Sequence, residues 1–239
     1  MMAHDLNIQF SGRIGPLIGC LRNGKYYYRS RPNKVQQTKA TQLSSNNFGL
    51  AAKAGKLIRL NLAQHLPSTK DQHMHKRLAR CLADWLGQYK DQPVQPTAAI
   101  PLVDQFSFNP ELRLAEQMKV VPVFSRTGPE LTQLLLPAYI PATDIKAPAG
   151  TTHLEFCIHA VVLRLGDDAC YGNYSHAFTI AYDNMMQDAR QVNIALHTAA
   201  GKMVIASLRI RYGILQEGEI NYSKWVNRTV AGIVGAIYV

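Results

Sequence analysis

The residues of this chain with the widest chemical repertoire are eight histidines, four cysteines and a pair of adjacent aspartates. His73 and His75 lie two positions apart in a predicted helix, so their side chains point to different faces and cannot bind one metal ion together. The H-E-x-x-H pattern of helical zinc sites is absent. We therefore interpret the histidines as structural or surface residues and predict no metal site.

The cysteines show no C-x-x-C spacing and no Cys/His ligand pattern. Cys81 lies within an apolar helical stripe and Cys157 within a predicted strand, where a free cysteine usually packs as a small apolar residue. A disulfide between Cys157 and Cys170 stays open as an alternative if their strands pair. The reduced form is favoured.

Two further groups of residues resemble ligand-binding or catalytic motifs but lack the required spacing. Asp167 and Asp168 stand next to Gly166 and do not supply the regularly spaced oxygens of a calcium loop, so a strand-connecting loop is predicted. The glycines near the N-terminus do not form a G-x-G-x-x-G phosphate loop, and no G-x-S-x-G elbow occurs. The chain is therefore predicted not to be an enzyme, with no cofactor and no small-molecule substrate.

The run from Lys25 to Arg31, KYYYRSR, is the strongest candidate for binding a partner. Tyrosines stack on bases and cations follow phosphates, so a nucleic-acid site is one interpretation. On a strand, however, Tyr26 and Tyr28 face one way, whereas Lys25, Tyr27 and Arg29 face the other. A half-buried strand with a solvated or partner-facing side is therefore favoured. The candidate polyanion-binding residues are Arg22, Lys25, Arg29, Arg31 and Lys34.

The element that must position this run is a β-hairpin over Ser11–Lys34. Its turn is Asn23-Gly24, the strongest short hairpin signal, because a type I′ turn needs positive φ at both central residues. An apolar strand over Ile14–Leu21 precedes the turn. A hairpin of two strands is barely stable alone, so this one must lie on another surface.

The charge distribution sets the N-terminal part apart from the rest. Residues 1–100 hold fifteen Lys/Arg and four Asp/Glu, a net of 15 − 4 = +11, whereas residues 101–239 hold eleven and twelve, a net of 11 − 12 = −1. A basic surface needs no partner beyond solvent. The alternatives are a polyanion or an acidic patch on another copy of the chain.

Two helices are predicted after the hairpin, in residues 46–92. The first, Phe48–Leu66, has an apolar face of Phe48, Ala51, Ala52, Gly55, Ile58 and Leu62. The polar residues 33–45 are either a linker or the exposed first turns of this helix. The second, Lys70–Tyr89, has apolar residues at spacings of three and four: Met74, Leu78, Cys81, Leu82, Trp85, Leu86 and Tyr89. An antiparallel helix pair is expected.

Prolines between Asp91 and Pro110 predict a helix-free connection and a domain boundary. Beyond it the pattern has period two, with candidate strands at Lys119–Phe124, Gln133–Ile140, His153–Leu165, His176–Tyr182, Gln191–Thr198, Met203–Tyr212 and Thr229–Val239. The predicted class is α+β: a hairpin arm with linker (1–45), a helical hairpin (46–92) and an antiparallel β-sandwich (111–239), immunoglobulin-like or jelly-roll-like.

The N-terminal run also resembles the opening of an uncharacterised Bacteroidota family with an F-S-G-x-x-G … R-S-x-P-x-K-V motif. The matching residues are Phe10, Ser11, Gly12, Gly15, Gly19, Arg29, Ser30, Pro32, Lys34 and Val35. The tryptophan usual before the turn is missing, and Gln36-Gln37 replaces an Asn-Pro. The resemblance implies a helical middle and a β-rich C-terminal part. It implies no activity.

These observations predict a non-enzymatic structural subunit that builds a homopolymer, such as a filament, tube or phage-like particle. The arm would dock on a neighbouring subunit, with the uncharged last strand, Thr229–Val239, as acceptor. The interface residues predicted are Ile14, Leu17, Ile18, Leu21, Tyr26, Tyr28, Val234, Ile237 and Val239. The alternative is a nucleic-acid-binding protein that uses the basic arm.

The expected location is the cytoplasm at synthesis, with incorporation into a released particle as a later step. The first ten residues show no cationic stretch followed by an apolar one, so no signal peptide is predicted. No run reaches the roughly 18 apolar residues of a membrane span.

Overall fold

The computed structural model describes residues 9–31, 36–63, 66, 71–89, 93–94, 96, 99–100, 103, 106–128, 131–196 and 199–239. The chain divides into two compact units, Met1–Gln42 and Leu43–Val239. We call them the N-terminal unit and the main unit. The segments predicted as a helical hairpin (46–92) and a β domain (111–239) both fall within the main unit.

The N-terminal unit contains a three-stranded antiparallel sheet, which we call the N-terminal sheet. Its strands are β1 (Gly12–Ile14), β2 (Leu17–Arg22) and β3 (Lys25–Ser30), in that order. Arg22 pairs with Lys25, which leaves Asn23 and Gly24 as a two-residue turn with φ of 51° and 74°. Both values are positive, as a type I′ turn requires, so the predicted hairpin is confirmed.

The predicted apolar strand Ile14–Leu21 is wrong in one respect, because the chain reverses within it. Ile14 pairs with Leu17, so Gly15 and Pro16 form a second tight turn, with Gly15 at a φ of 54°. Gly19 on β2 lies against Phe10, and a Cβ at this position would stand 2.4 Å from the Phe10 carbonyl oxygen. This glycine therefore permits a close backbone approach.

Among its described residues, the main unit has two long helices and eight strands. The helices are α1 (Lys39–Asn61), whose first residues belong to the N-terminal unit, and α2 (Met74–Gly87); α3 (Leu114–Gln117) and α4 (Pro141–Asp144) are single turns. The strands are β4 (Val123–Arg126), β5 (Leu131–Leu136), β6 (His153–Arg164), β7 (Cys170–Ala181), β8 (Arg190–Ala195), β9 (Lys202–Gln216), β10 (Glu219–Asn221) and β11 (Val230–Tyr238).

These strands form two antiparallel sheets. In the larger sheet the order is β10–β9–β6–β7, and β11 also pairs with β9. In the smaller sheet the order is β4–β5–β8. Each of the seven strands predicted from period-two patterns overlaps an observed strand, although the one at Lys119–Phe124 overlaps only by its last two residues. The α+β class with antiparallel sheets is confirmed.

Both faces of the larger sheet are covered. Side chains such as Phe156 and Ile158 of β6 share one core with Leu134 of β5 and Ile194 of β8. The alternate residue Val161 joins a second core with Ile58 of α1 and other helix residues. Two-sided burial requires nearly every position of a strand to be apolar, which explains the run from Phe156 to Leu163.

The helix pair differs from the prediction at its start and at two positions of its apolar face. Thr38 accepts the Thr41 backbone N–H at its hydroxyl, at 3.2 Å, and α1 begins at Lys39, so most of the polar segment up to Ser45 is helical rather than linker. Phe48 and Ala52, predicted as buried, are exposed. The main stripe of α2 is confirmed, with Leu78, Leu82, Trp85 and Leu86 buried.

The predicted connection between domains, Asp91–Pro110, is partly built into the core. Among its described residues, Ile100, Val103, Phe106 and Phe108 are buried. The Ile100 N–H bonds to the Ala236 carbonyl at 2.7 Å, and the Ile233 N–H bonds to the Phe106 carbonyl at 2.7 Å. Ile100 and Phe106 thus lie beside β11 and form backbone hydrogen bonds with it. Within the described ranges, no helix is long and apolar enough to cross a bilayer.

Candidate interface surfaces

The N-terminal sheet has one face without charge. Cross-strand partners share a face, and the register aligns Ile14 with Leu17 and Leu21 with Tyr26. We call the surface formed by Ile14, Leu17, Leu21, Tyr26 and Tyr28 the apolar face. Ile14, Leu17 and Leu21 are 57%, 44% and 52% exposed. Contiguous exposed apolar residues of this size mark an interaction surface more often than a solvent-facing one.

The opposite side of the same sheet is cationic. The register pairs Arg13 with Ile18, Ile18 with Arg29 and Arg22 with Lys25. We call the surface formed by Arg13, Arg22, Lys25, Tyr27 and Arg29 the basic face; all five are exposed. The alternation predicted from the sequence therefore separates the aromatic pair Tyr26/Tyr28 from the cations. Tyr27 is the aromatic residue that shares their surface.

Two of the predicted site residues of the arm lie outside the surface predicted for them, and a third is not among the described residues. Ile18 pairs with Arg29 and lies on the basic face, so its assignment to the apolar contact surface is wrong. Arg31 follows β3, is exposed, and donates its backbone N–H to the Pro16 carbonyl at 2.6 Å. Lys34 lies outside the described residues.

The predicted acceptor strand, β11, is not an open edge. One side pairs with β9, and Ile100, Phe106 and Phe108 form hydrogen bonds with the other side at Ala236, Ile233 and Ala231. Val234, Ile237 and Val239 are only 8%, 2% and 7% exposed. The lack of charge that suggested an acceptor instead reflects burial on both faces, as in β6. These three residues are core residues and are not available to a neighbouring subunit.

A partly buried polar cluster lies on the larger sheet and was not predicted. Arg211 donates to both carboxylate oxygens of Glu155, one contact at 2.7 Å, and the Cys157 thiol donates to the same carboxylate at 3.1 Å. Arg209 donates to Cys157 Sγ at 3.2 Å. The alternating pattern of β6 and β9 could have suggested that Glu155 and Arg211 share a face, but not that they are opposite each other.

The electrostatics of this cluster favour a structural role. Burial alone would raise the pKa of Glu155, but hydrogen bonds from Arg211 and Cys157, with the charges of Arg211 and Arg209, hold that pKa below its usual value. Burial raises the pKa of Cys157, against the opposing effect of Arg209. The thiol form therefore persists at neutral pH, whereas a nucleophilic cysteine needs a lowered pKa.

The remaining chemical candidates lie apart. All four cysteines are free; Cys157 pairs with Ala177 and Leu163 with Cys170, so the two cysteines are well separated along the β6–β7 ladder. The disulfide alternative is therefore wrong. Across the described part of the chain, no three His, Cys, Asp or Glu side chains gather as metal ligands. Asp167 and Asp168 lie in the turn between β6 and β7, as predicted.

The helix pair carries a further surface that the sequence did not reveal. A groove of about 960 Å³ runs between α1 and α2, with small residues such as Ala52, Gly55, Ala79 and Ala83 among its lining. Its cations are Lys56, Arg59, Lys76 and Arg80, and Asp84 is its one carboxylate. We call this surface the helix groove. Its net charge is 4 − 1 = +3.

The cations of the helix groove are mostly without ion-pair partners. Arg80 contacts Asp84 at 3.7 Å, and both side chains are exposed. Within the described residues, Lys56, Arg59 and Lys76 have no carboxylate within 4.0 Å. Arg59 Nε is shielded from solvent and has no hydrogen-bond partner there. The groove therefore offers positive charge and at least one unsatisfied donor.

The chain matches no protein-family model, no curated protein and no solved structure. The resemblance of its N-terminal motif to a Bacteroidota family therefore stays a prediction.

Proposed function

We propose that this chain is a non-enzymatic structural subunit that self-assembles, and that its N-terminal sheet docks on a neighbouring copy. The observation that carries the proposal is the two-faced N-terminal sheet. Ile14, Leu17 and Leu21 are about half exposed on a small three-stranded sheet with a single apolar side. Burying such a side chain fully stabilises by roughly 1.5–3 kcal/mol, so covering this face gives a substantial driving force for association.

The distribution of charge favours a second copy as the partner. The N-terminal unit holds seven Lys/Arg and one Asp, a net of 7 − 1 = +6. The four cations of its described strands lie on the basic face, which points away from any surface that the apolar face contacts. The apolar face can therefore pack on another copy without placing these charges in the contact.

The main unit also supports the proposal, because it would form the folded body of such a subunit. Its two antiparallel sheets face each other across one core, which supports the sandwich architecture expected for the C-terminal part. Contacts that do not close by symmetry produce filaments or tubes, and those that close produce rings.

The proposal is tested by paired substitutions on the two faces of the sheet. Leu17→Gln with Leu21→Gln adds polar groups to the apolar face, whereas Arg22→Gln with Arg29→Gln changes two residues of the basic face of the same sheet. We expect nuclease-treated wild-type protein to form species well above the 26.6 kDa monomer. The leucine variant should shift to smaller, folded species, and the arginine variant should retain the wild-type size.

Light scattering after size exclusion measures the mass, and circular dichroism checks the fold. A wild-type protein that is monomeric at every concentration overturns the proposal. So does a leucine variant that forms the same large particles.

Nucleic-acid binding is a second candidate function, and a specific observation favours it. Tyr27 stands on the basic face together with Arg13, Arg22, Lys25 and Arg29, so one stacking aromatic and four cations share a surface. Single-strand-binding surfaces combine these two components. Self-assembly is favoured because two of the three tyrosines, Tyr26 and Tyr28, lie on the apolar face, away from the cations.

A further inference from the structure

The main unit carries an acidic projection. Strands β9 and β10 form a hairpin in which Gln216 pairs with Glu219, so Glu217 and Gly218 are the two turn residues, with φ of 50° and 85°. Glu217 and Glu219 are exposed, and in the described part of the chain neither has a cation within 4.0 Å. We call Leu215–Ile220 the acidic tip.

The acidic tip and the helix groove are complementary in chemistry. Among the described residues, the tip presents two carboxylates without ion-pair partners. The groove presents Lys56, Arg59 and Lys76, which also have no ion-pair partner. Each surface also exposes one large apolar residue: Leu215 is 50% exposed at the tip, and Phe48 is 58% exposed in the groove. A two-residue hairpin is narrow, because its strands lie about 4.8 Å apart, and this suits a groove between two helices.

The tip cannot reach the groove of its own chain. Helices α1 and α2 share their core with Met203 and Ile205, near the start of β9, whereas the tip follows Gln216 at its end. The helix layer extends as far as the level of Leu208, because Arg77 of α2 donates to the Ser107 carbonyl and Ser107 pairs with Gly232, opposite Leu208. At about 3.3 Å per residue, the strand carries Gln216 roughly 26 Å beyond Leu208. A contact between the two surfaces must therefore join two copies.

We propose that the acidic tip of one copy inserts into the helix groove of the next copy. This inference rests on the proposed self-assembly and names a second contact within it. The two surfaces are different patches at separate places on the main unit, so the contact is heterologous and repeats from copy to copy. A phosphate backbone is the other polyanion that fits the groove. The acidic tip is favoured because it also supplies an apolar residue to meet Phe48.

A charge-swap experiment tests the contact. The tip variant carries Glu217→Lys with Glu219→Lys, and the groove variant carries Lys56→Glu with Lys76→Glu. Each variant alone brings like charges together, so each should lose the large assemblies. A mixture of the two restores opposite charges at both kinds of junction, and assemblies containing both variants should form. A chain with all four substitutions should assemble by itself.

The matched control for the tip variant is Glu111→Lys with Asp188→Lys, which makes the same change in net charge at exposed positions outside both surfaces. This control should assemble as the wild type does. Light scattering and negative-stain imaging of nuclease-treated protein provide the readout, and differential labelling shows whether mixed assemblies contain both variants.

The inference is overturned if either variant assembles alone as the wild type does, or if the mixture fails to restore assembly. If the groove variant loses binding to a single-stranded oligonucleotide while both variants assemble normally, the groove serves nucleic acid instead. This failure is distinct from failure of the N-terminal contact, because the Leu17 and Leu21 substitutions leave both surfaces unchanged.

Discussion

At the residue scale, the main unit places a charged group where burial would normally neutralise it. Glu155 has a side chain only 15% exposed, yet its pKa is lowered because Arg211 donates two hydrogen bonds to it and Cys157 a third. Such an arrangement stabilises the fold only while every partner is present, since a partner that is left alone stays buried without its counter-charge.

We expect Glu155→Gln to lower the free energy of unfolding by about 1.5–3 kcal/mol, the range for hydrogen bonds to charged groups. Because the folded pKa of Glu155 lies below its unfolded value, the contribution is fully present above the unfolded value, near 4.5, and is lost as the pH falls through the folded pKa. The variant should therefore lose part of the wild-type decline in stability below about pH 4.5.

Urea unfolding at pH 7 and at several acidic pH values measures both effects. The matched control is Glu111→Gln, which removes an exposed carboxylate of the main unit outside the proposed contacts. Equal stability of Glu155→Gln and wild type at pH 7 would contradict the expectation.

At the element scale, α2 attaches the helix layer to the larger sheet. Trp85 is 1% exposed, and its ring lies 5.8 Å from the ring of Tyr238 on β11 and 5.9 Å from that of Tyr89. The helix therefore packs on a strand far away in sequence. Its apolar stripe is what the periodicity of residues 74–89 predicts.

Trp85→Ala should reduce the free energy of unfolding by about 3–5 kcal/mol, because a cavity replaces a large side chain between the helix and the sheet. Leu60→Ala on α1 is the control. Leu60 is 62% exposed, so its truncation should change stability by no more than about 0.5 kcal/mol. Chemical denaturation of both variants decides the matter. Similar losses for the two would mean that Trp85 does not anchor the helix layer.

At the scale of the whole molecule, positive charge is concentrated in the first part of the chain. Residues 1–100 carry a net charge of +11 and residues 101–239 a net charge of −1. The described residues place part of this excess on two defined surfaces, the basic face of the N-terminal sheet and the helix groove. Each surface can attract a polyanion, and the strength of that attraction depends on salt.

If the basic face contacts single-stranded nucleic acid, log K should fall linearly with log salt, with a slope of about −0.7 per phosphate neutralised. Replacing Lys25, Arg29 and Arg31 with Gln should then make the slope shallower by about 2. The control replaces Lys119, Arg126 and Lys224, exposed cations outside both basic surfaces, and should leave the slope unchanged. Fluorescence anisotropy with a labelled oligonucleotide gives the slopes. If the protein does not bind the oligonucleotide even at low salt, nucleic-acid binding is excluded as its function.

The features that the sequence predicts well are those set by neighbouring residues. Asn23-Gly24 determines a tight turn because few other residues accept positive φ there. The alternation along Lys25–Ser30 separates Tyr26 and Tyr28 from the cations, because successive side chains of a strand point to opposite faces. The stripe of α2 follows in the same way from the helical repeat. For these features the local pattern and the fold agree.

The tertiary structure alone decided which surfaces are open. The uncharged sequence of β11 fits an exposed acceptor edge and a strand buried on both sides equally well. Only the hydrogen bonds of Ile100, Phe106 and Phe108 with β11 exclude the edge. Likewise, Lys56 and Lys76 read as ordinary solvated charges until the helices bring them into one groove. Periodicity records which residues of one element share a face. It does not record which distant element covers that face, because this depends on the packing of segments far apart in the chain.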